Sequence, residues 1–415
     1  MNFVNSSILT GVSTVVKLAS NLIITKLVAY FYGANGMFLL GNLANFLTFL
    51  KAIATGGIEQ GTVKYVSQYE DHSKEQKKTI VHSLQIAFVF SSICGVVLLL
   101  FRNQISTYVL LESNYAYLFA VTGISTVFFS LNLIFLNILN GLREIKRFVL
   151  ISLVGNIFSL LVTLLLLYFY ELDGVLLGFC INQAVVIIPT LLFVYKDWWL
   201  QISLVQRIQW AFSQKLFRFS LMAFASALTV PMTYFLLRKL IGDRLGIDQA
   251  GMWEALVRLS SVFLMVLAAS YSTYLLPTFS SLSKNELRKE LFKVYKIVIP
   301  ISFIGVLALY FLRVFIIKIL YSDEFLPIQD LFLYQILGDG IKAITLVTGY
   351  LIIAKGMTKA YVFNEVLQMA VYMSVSYLLL DQFKLLGVTI AHLTTALSCL
   401  VFQLILFRKV LWPKN

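Results

Sequence analysis

Long apolar stretches, separated by short polar joints, follow one another along the whole chain. A bilayer core about 30 Å thick needs roughly 20 apolar residues for one helical crossing, and most of these stretches reach that length. Barrel strands would instead alternate apolar and polar residues over about ten positions, and runs such as 151–170 and 341–353 show no alternation. The pattern therefore predicts an all-α polytopic membrane protein.

About twelve crossings are predicted from these stretches. The predicted spans are 6–32, 38–65, 79–101, 115–140, 148–170, 172–195, 214–240, 249–276, 291–315, 327–354, 357–380 and 385–409. An even number of crossings places both termini on one side. Lysine and arginine are concentrated in the joints on the side of the termini, which predicts that both termini are cytoplasmic.

The composition agrees with this prediction: 59% of the residues are hydrophobic and only 13% are charged, against about a quarter charged in soluble domains. The formal net charge of +13 is explained by the basic cytoplasmic joints, so it does not indicate nucleic-acid binding.

The two halves of the chain resemble each other. Similar short motifs recur at a nearly constant offset: Gly36-Met37 with Gly251-Met252, Phe101-Arg102 with Leu312-Arg313, and Leu172-Asp173-Gly174-Val175 with Leu385-Leu386-Gly387-Val388. A chance alignment of glycine-containing joints is the alternative to a duplication. A duplication of six crossings gives two parallel six-helix lobes around a central cavity, which we place at residues 1–205 and 206–415.

Sequence signatures of catalysis are missing. The chain contains neither a GxxxxGK[ST] loop for ATP nor an HExxH motif. Cys94, Cys180 and Cys399 are widely spaced and form no CxxC motif. A membrane enzyme such as a glycan polymerase would need a long external loop, and all the joints are short. We therefore expect a transporter without a cofactor or a metal.

The informative residues are charges inside the spans, because each costs about 2.5–3.5 kcal/mol at a helix centre. Lys17 shares one helical stripe with Ser6, Thr10, Ser13, Thr14 and Asn21. Lys51 shares another stripe with Thr48, Thr55 and Thr62. We interpret the two stripes as walls of a polar cavity; the alternative is that each lysine pairs with a carboxylate elsewhere in the bundle.

Other intramembrane charges allow two interpretations each. Lys26 is close enough to the membrane interface to extend towards it, or it takes part in the site. Glu254 and Arg258 have the i, i+4 spacing of a neutralised pair, but could also contact a ligand. Asp339 and Lys342 could form a salt bridge, or Asp339 could bind a coupling cation while Lys342 faces an anion.

Cations outnumber carboxylates among these deep groups, which favours an anionic ligand. The candidate substrate-binding residues are Lys17, Lys51, Arg258, Lys342, Lys26 and Asn21, and the candidate coupling or gating residues are Asp339 and Glu254. A cation-coupled exporter of organic cations is the runner-up, and it should show an acidic cavity instead.

Several motifs resemble those of one family: Lys64-Tyr65-Val66-Ser67-Gln68-Tyr69, Tyr274-Leu275-Leu276-Pro277-Thr278, and Gly338-Asp339 with Lys342 before Gly349-Tyr350-Leu351-Ile352-Ile353-Ala354-Lys355. The chain is similar to Wzx-type polysaccharide flippases of the multidrug/oligosaccharidyl-lipid/polysaccharide export superfamily, and most similar to the subgroup that serves enterobacterial common antigen. Lys17 and Lys26 also fall where that subgroup has lysines.

The resemblance implies alternating access and a location in the Gram-negative inner membrane. It implies a substrate of undecaprenyl diphosphate that carries one oligosaccharide repeat unit, of O-antigen or of enterobacterial common antigen. A glycan polymerase and a chain-length regulator are the protein partners that it suggests. Lys51 and Arg258 do not match basic positions of the common-antigen subgroup, so both pathways stay open.

Overall fold

The computed structural model describes residues 3–69, 73–201, 210–282 and 284–411. Within these ranges the chain is helical and contains no strand. Its α-helices are α1 (Phe3–Ala54), α2 (Glu59–Gln68), α3 (Ser73–Leu100), α4 (Arg102–Leu110), α5 (Ala116–Gly141), α6 (Ile145–Val185), α7 (Ile187–Val194), α8 (Trp210–Leu245), α9 (Ile247–Ser281), α10 (Lys284–Leu320), α11 (Phe332–Ala354), α12 (Thr358–Leu406) and α13 (Arg408–Leu411). Short 3-10 helices cover Ser113–Tyr115, Trp198–Gln201 and Asp323–Leu331.

Twelve crossings, as predicted, follow from these helices. Eight helical ranges in the described part are long and apolar enough to span a membrane. Three of them contain one non-helical residue, Gly33, Glu171 or Lys384, so each of the three provides two crossings. Helix α8, with 36 residues, is long enough to be the twelfth. Helices suit a bilayer because they satisfy their own backbone hydrogen bonds.

The second crossing ends earlier than predicted. We expected it to continue to residue 65, but α1 ends at Ala54 and the chain turns before α2 begins at Glu59. Gly56 and Gly57 both have a φ of 63°, a left-handed conformation that glycine adopts without a steric penalty. The apolar pattern concealed this turn, because the residues on both sides of it are largely apolar or small.

The chain forms two compact units. The N-terminal unit comprises Met1–Val28 and Asn42–Leu228, and the C-terminal unit comprises Ala29–Gly41 and Thr229–Asn415. The lobe boundary predicted near residue 205 lies outside the described residues. In the N-terminal unit α5 packs against α2, α3 and α6, and in the C-terminal unit α11 packs against α9, α10 and α12. Each unit is therefore built around one central helix.

The backbone of the two halves of the sequence repeats in detail. Left-handed residues occur in three joints of the first half and again 213 positions later: Gly33 and Gly246, Arg143 and Gly356, Glu171 and Lys384. Central helix α5 ends at Gly141 and α11 ends 213 positions later at Ala354. The repeat inferred from short motifs is thus present in the helix ends and turns.

One pair of glycines shows how closely the copies match. A side chain on Gly174 would collide with the carbonyl oxygen of Leu166, and a side chain on Gly387 would collide with that of Leu379. Both positions again differ by 213. The same close approach of two helix ends is conserved between the units of this chain, which supports the duplication.

Candidate functional site

The N-terminal unit contains a cavity of about 260 Å³ beside α5. The cavity is lined by Lys17, Ala44, Leu47, Thr48, Leu50, Lys51, Thr122, Ser125, Thr126, Phe129, Phe179, Cys180 and Asn182. Lys17 and Lys51 come from the two halves of α1, Thr122 to Phe129 from α5, and the last three from α6. The two lysines that the sequence indicated therefore line one cavity.

The two lysines differ in their partners. Lys51 Nζ lies 3.7 Å from a carboxylate oxygen of Glu59, and 39% of its side chain is exposed. Lys17 is exposed and forms no ion pair within 4 Å with any described residue. Two ammonium groups and one nearby carboxylate leave the cavity with a positive surplus.

The turn after α1 positions Glu59. The amide of Thr55 donates to the carbonyl of Lys51, and the amide of Gly57 donates to that of Ala52. This turn brings Glu59 back, so that the hydroxyl of Thr55 donates to Glu59 Oε1 at 3.2 Å. The carboxylate is thereby held beside Lys51 by the backbone and by one side-chain hydrogen bond.

The predicted stripes are only partly in the cavity. Thr48 lines it, but Thr55 is buried and Thr62 donates to Ser83 on α3 at 2.9 Å. Asn21 and Lys26 are exposed on α1 and are not among the lining residues of the cavity.

The sequence did not single out the wall of the cavity that comes from α5 and α6. The hydroxyls of Thr122, Ser125 and Thr126 donate hydrogen bonds to backbone carbonyls of α5. These bonds allow polar side chains to lie within an apolar helix. Their spacing of three and four residues places them on one face of α5, so this periodicity was the available signal.

The C-terminal unit contains a charged network instead. Buried Glu254 accepts from Arg238 with one oxygen and from Arg258 Nε with the other, at 2.6 Å. Arg238 is only 1% exposed and lies near the end of the predicted span 214–240. The i, i+4 pairing of Glu254 with Arg258 is present, with Arg238 as a further partner that sequence spacing did not reveal.

A second cluster of charged residues in the same unit lies on α11 and α12, and we treat the two clusters together as the charged network. His392 Nε2 donates to Asp339 Oδ1 at 2.9 Å, and both side chains are buried. No Asp339–Lys342 ion pair within 4 Å is present; Lys342 interacts electrostatically with both Asp339 and Glu365. A direct Asp339–Lys342 salt bridge was one of two interpretations of the sequence, which could not show that α12 brings His392 against Asp339.

The charges of this network compensate each other. Three cations lie among three carboxylates: Arg238, Arg258 and Lys342 with Glu254, Asp339 and Glu365. Buried charges cost less free energy when opposite charges lie beside them, as Arg238 and Arg258 do beside Glu254. The described part of the C-terminal unit therefore does not add to the positive surplus that the sequence indicated.

The two sites occupy equivalent positions of the repeat. Thr126, Phe129 and Phe179 line the cavity, and 213 positions later the chain has Asp339, Lys342 and His392. In the other direction, the counterparts of Lys17 and Lys51 are Val230 and Leu264. The same place in the fold thus holds an open cationic cavity in one unit and a neutralised network in the other.

Known proteins resemble the chain in sequence and in fold. The sequence profile of the family described as "Polysaccharide biosynthesis protein" matches residues 3–283. The chain is 30% identical to the "Lipid III flippase" of Escherichia coli (strain K12) over 412 residues, which cover 97% of this chain and 99% of that protein.

Solved structures share the fold at low sequence identity. An inward-facing MATE family multidrug transporter of the MOP superfamily superimposes with a TM-score of 0.81 at 13% identity and covers 96% of both chains. The inward closed conformation of the lipid II flippase MurJ superimposes with a TM-score of 0.74 at 16% identity and covers 97% of this chain and 87% of that one.

Proposed function

The chain belongs to the family of polysaccharide biosynthesis proteins, and from this premise we propose that it flips a lipid-linked oligosaccharide across the inner membrane. The resemblance to polysaccharide flippases is thereby confirmed. The substrate that we propose is undecaprenyl diphosphate with one oligosaccharide repeat unit, of O-antigen or enterobacterial common antigen. The observation that carries the proposal is the cavity with Lys17 and Lys51 on its wall.

The charge of the cavity suits a diphosphate. Two charges about 4 Å apart attract by about 4 kcal/mol at an effective dielectric constant of 20, so one ammonium already offsets much of the desolvation of a phosphate. Lys17 has no described carboxylate within 4 Å and is available to an incoming anion. The threonine and serine hydroxyls on the same wall donate to backbone carbonyls, and their oxygen lone pairs can accept hydrogen bonds from sugar hydroxyls.

The transport cycle that we propose is alternating access, which fits the fold. The substrate enters from the cytoplasmic leaflet and leaves to the periplasmic leaflet, while its polyprenyl tail stays among lipid tails. The basic joints support cytoplasmic termini. We assign Lys17 and Lys51 to the diphosphate, and Asn21 and Lys26 to the path along α1.

For the C-terminal unit we propose a gating role. Arg258 is already paired with Glu254, and Asp339 with His392, so a substrate anion at Arg258 would have to displace an internal carboxylate. Lys342 lies in the field of Asp339 and Glu365 without an ion pair within 4 Å to a described residue. Exchange of partners within such a network can distinguish two conformations of a transporter. A glycan polymerase and a chain-length regulator are the proposed protein partners, because they would receive the flipped unit.

The test is flipping in proteoliposomes that contain a fluorescent lipid-linked oligosaccharide in both leaflets. A glycosidase added outside digests only glycan in the outer leaflet, so about half is digested without transport and nearly all with it. The wild-type protein should give nearly complete digestion. The Lys17→Ala, Lys51→Ala double variant should leave close to half of the glycan protected from the glycosidase, because it removes both cations of the cavity.

The matched control is Lys74→Ala, which removes an exposed lysine that lies outside the cavity and should flip normally. Normal flipping by the double variant would contradict the assignment of the two lysines. If the wild-type protein leaves half of the glycan undigested and exports organic cations, the result would instead favour the multidrug exporter.

A further inference from the structure

A second, smaller cavity adjoins the cationic one in the N-terminal unit. It measures about 140 Å³ and is lined by Thr48, Lys51, Ala52, Gly57, Glu59, Gln60, Phe224 and Ala227. Thr48 and Lys51 line both cavities. Lys51 therefore stands at the junction, with Lys17 on one side and Glu59 on the other.

The second cavity has a different chemistry from the first. It contains a carboxylate from Glu59 and an amide from exposed Gln60, next to the hydroxyl of Thr48. A carboxylate repels a phosphate but accepts hydrogen bonds from sugar hydroxyls, and an amide both donates and accepts. The ring of Phe224 adds an apolar surface on which the C–H face of a pyranose can lie.

Two groups of the second cavity, Glu59 and Phe224, are held in place before any ligand arrives. The Gly56-Gly57 turn fixes the start of α2, and Thr55 bonds to Glu59 at 3.2 Å. The Phe224 ring lies directly against Gly57, where a side chain would collide with it. A site that is already ordered loses less conformational entropy when it binds a ligand.

We infer that this second cavity, formed by Glu59, Gln60, Thr48 and Phe224, binds the sugar residue that is attached directly to the diphosphate. The inference rests on the proposed function and extends it. A diphosphate at Lys17 and Lys51 places the first sugar next to Lys51, and the adjoining cavity has donors and acceptors suited to a sugar. Lys51 then contacts the phosphate nearest the glycan, and Glu59 contacts both Lys51 and a sugar hydroxyl.

Binding of two lipid probes to the purified full-length protein in nanodiscs tests the inference. One probe is undecaprenyl diphosphate, and the other is undecaprenyl diphosphate that carries one N-acetylhexosamine. We expect Gln60→Ala and Phe224→Leu each to weaken binding of the glycosylated probe about tenfold, and to change binding of the bare diphosphate less than twofold. Lys17→Ala should weaken binding of both probes.

The matched control is Gln68→Ala, an exposed glutamine on the same helix α2 that does not line either cavity. It should bind both probes like the wild type. If the wild-type protein binds both probes, but Gln60→Ala weakens binding of both equally or of neither, the sugar assignment is overturned and the proposed function is not. Failure of the wild-type protein to bind either probe would instead overturn the proposed function.

Discussion

Thr126 and Phe129 line an open cavity beside α5, whereas their counterparts on α11, Asp339 and Lys342, lie within a charged network. The backbones around these positions have matching turns and helix ends. The difference is therefore one of side chains and not of fold. One copy of the repeat leaves Lys17 without a carboxylate within 4 Å among the described residues, and the other pairs its two deep arginines with Glu254.

The comparison indicates how a duplicated fold can divide its tasks. Lysines in the N-terminal unit correspond to Val230 and Leu264 in the C-terminal unit, so the cations of the cavity are specific to one copy. Conversely, Arg238 and Glu254 correspond to Thr25 and Gly41. Substrate attraction and internal charge pairing are thus placed in different units. The predictions below test this division.

The largest expected effect is on the stability of the C-terminal unit. Glu254→Ala removes the carboxylate that Arg238 and Arg258 share, and loss of one partner of a buried pair costs about 3–5 kcal/mol. In the N-terminal unit, Glu59→Ala should cost less than about 1 kcal/mol, because Lys51 is 39% exposed. Denaturant unfolding of both purified variants measures the contrast, and equal losses would refute it.

A smaller effect is expected where His392 meets Asp339. His392→Phe installs the residue type of its counterpart Phe179. It removes the hydrogen bond that His392 donates to Asp339 Oδ1. The other oxygen of Asp339, Oδ2, has no hydrogen-bond partner among the described residues, so the carboxylate loses its one described donor. We expect a loss of about 1–3 kcal/mol in the free energy of unfolding.

The double variant His392→Phe, Asp339→Thr then tests whether the two residues act together. Thr126 is the counterpart of Asp339, so both changes install the residue types of the N-terminal unit. The free energy of unfolding is also measured for the single variant Asp339→Thr. The double variant should lose at least about 0.5 kcal/mol less than the summed losses of His392→Phe and Asp339→Thr. Strictly additive losses, measured by the same unfolding experiment, would show that the pair does not stabilise the unit through its mutual contact.

Much of the fold was predictable from the sequence. Twelve crossings follow from the length of the apolar stretches, and the duplication was visible in motifs such as Gly174 and Gly387. The early end of the second crossing at Ala54 was not predicted, because two adjacent glycines form a turn within a stretch that is otherwise mostly apolar. Hydropathy measures burial in lipid and is insensitive to such a turn.

The site was less predictable, for a geometric reason. Periodicity shows which residues share a face of one helix, and it placed Lys17 and Lys51 on polar stripes. It does not show which faces of distant helices meet, so it could not place Phe179 with Lys17, or His392 with Asp339. The repeat offset of 213 positions, applied to every polar residue, would have identified Thr126 and Asp339 as counterparts from the sequence.

The smallest expected effect concerns the turns that both units share. Glu171 and Lys384 have φ of 51° and 50° with ψ of −130° and −137°, a region that suits glycine, and the side chains of both are exposed. Glu171→Gly and Lys384→Gly should each raise the free energy of unfolding, by about 0.5–1 kcal/mol, since relief of strain outweighs the added freedom of the unfolded chain.

Glu171→Ala and Lys384→Ala remove the same charges but keep a Cβ atom, so they should give no gain. A gain from either alanine variant would attribute the effect to charge, and a gain in only one unit would contradict the view that the two copies carry the same strain.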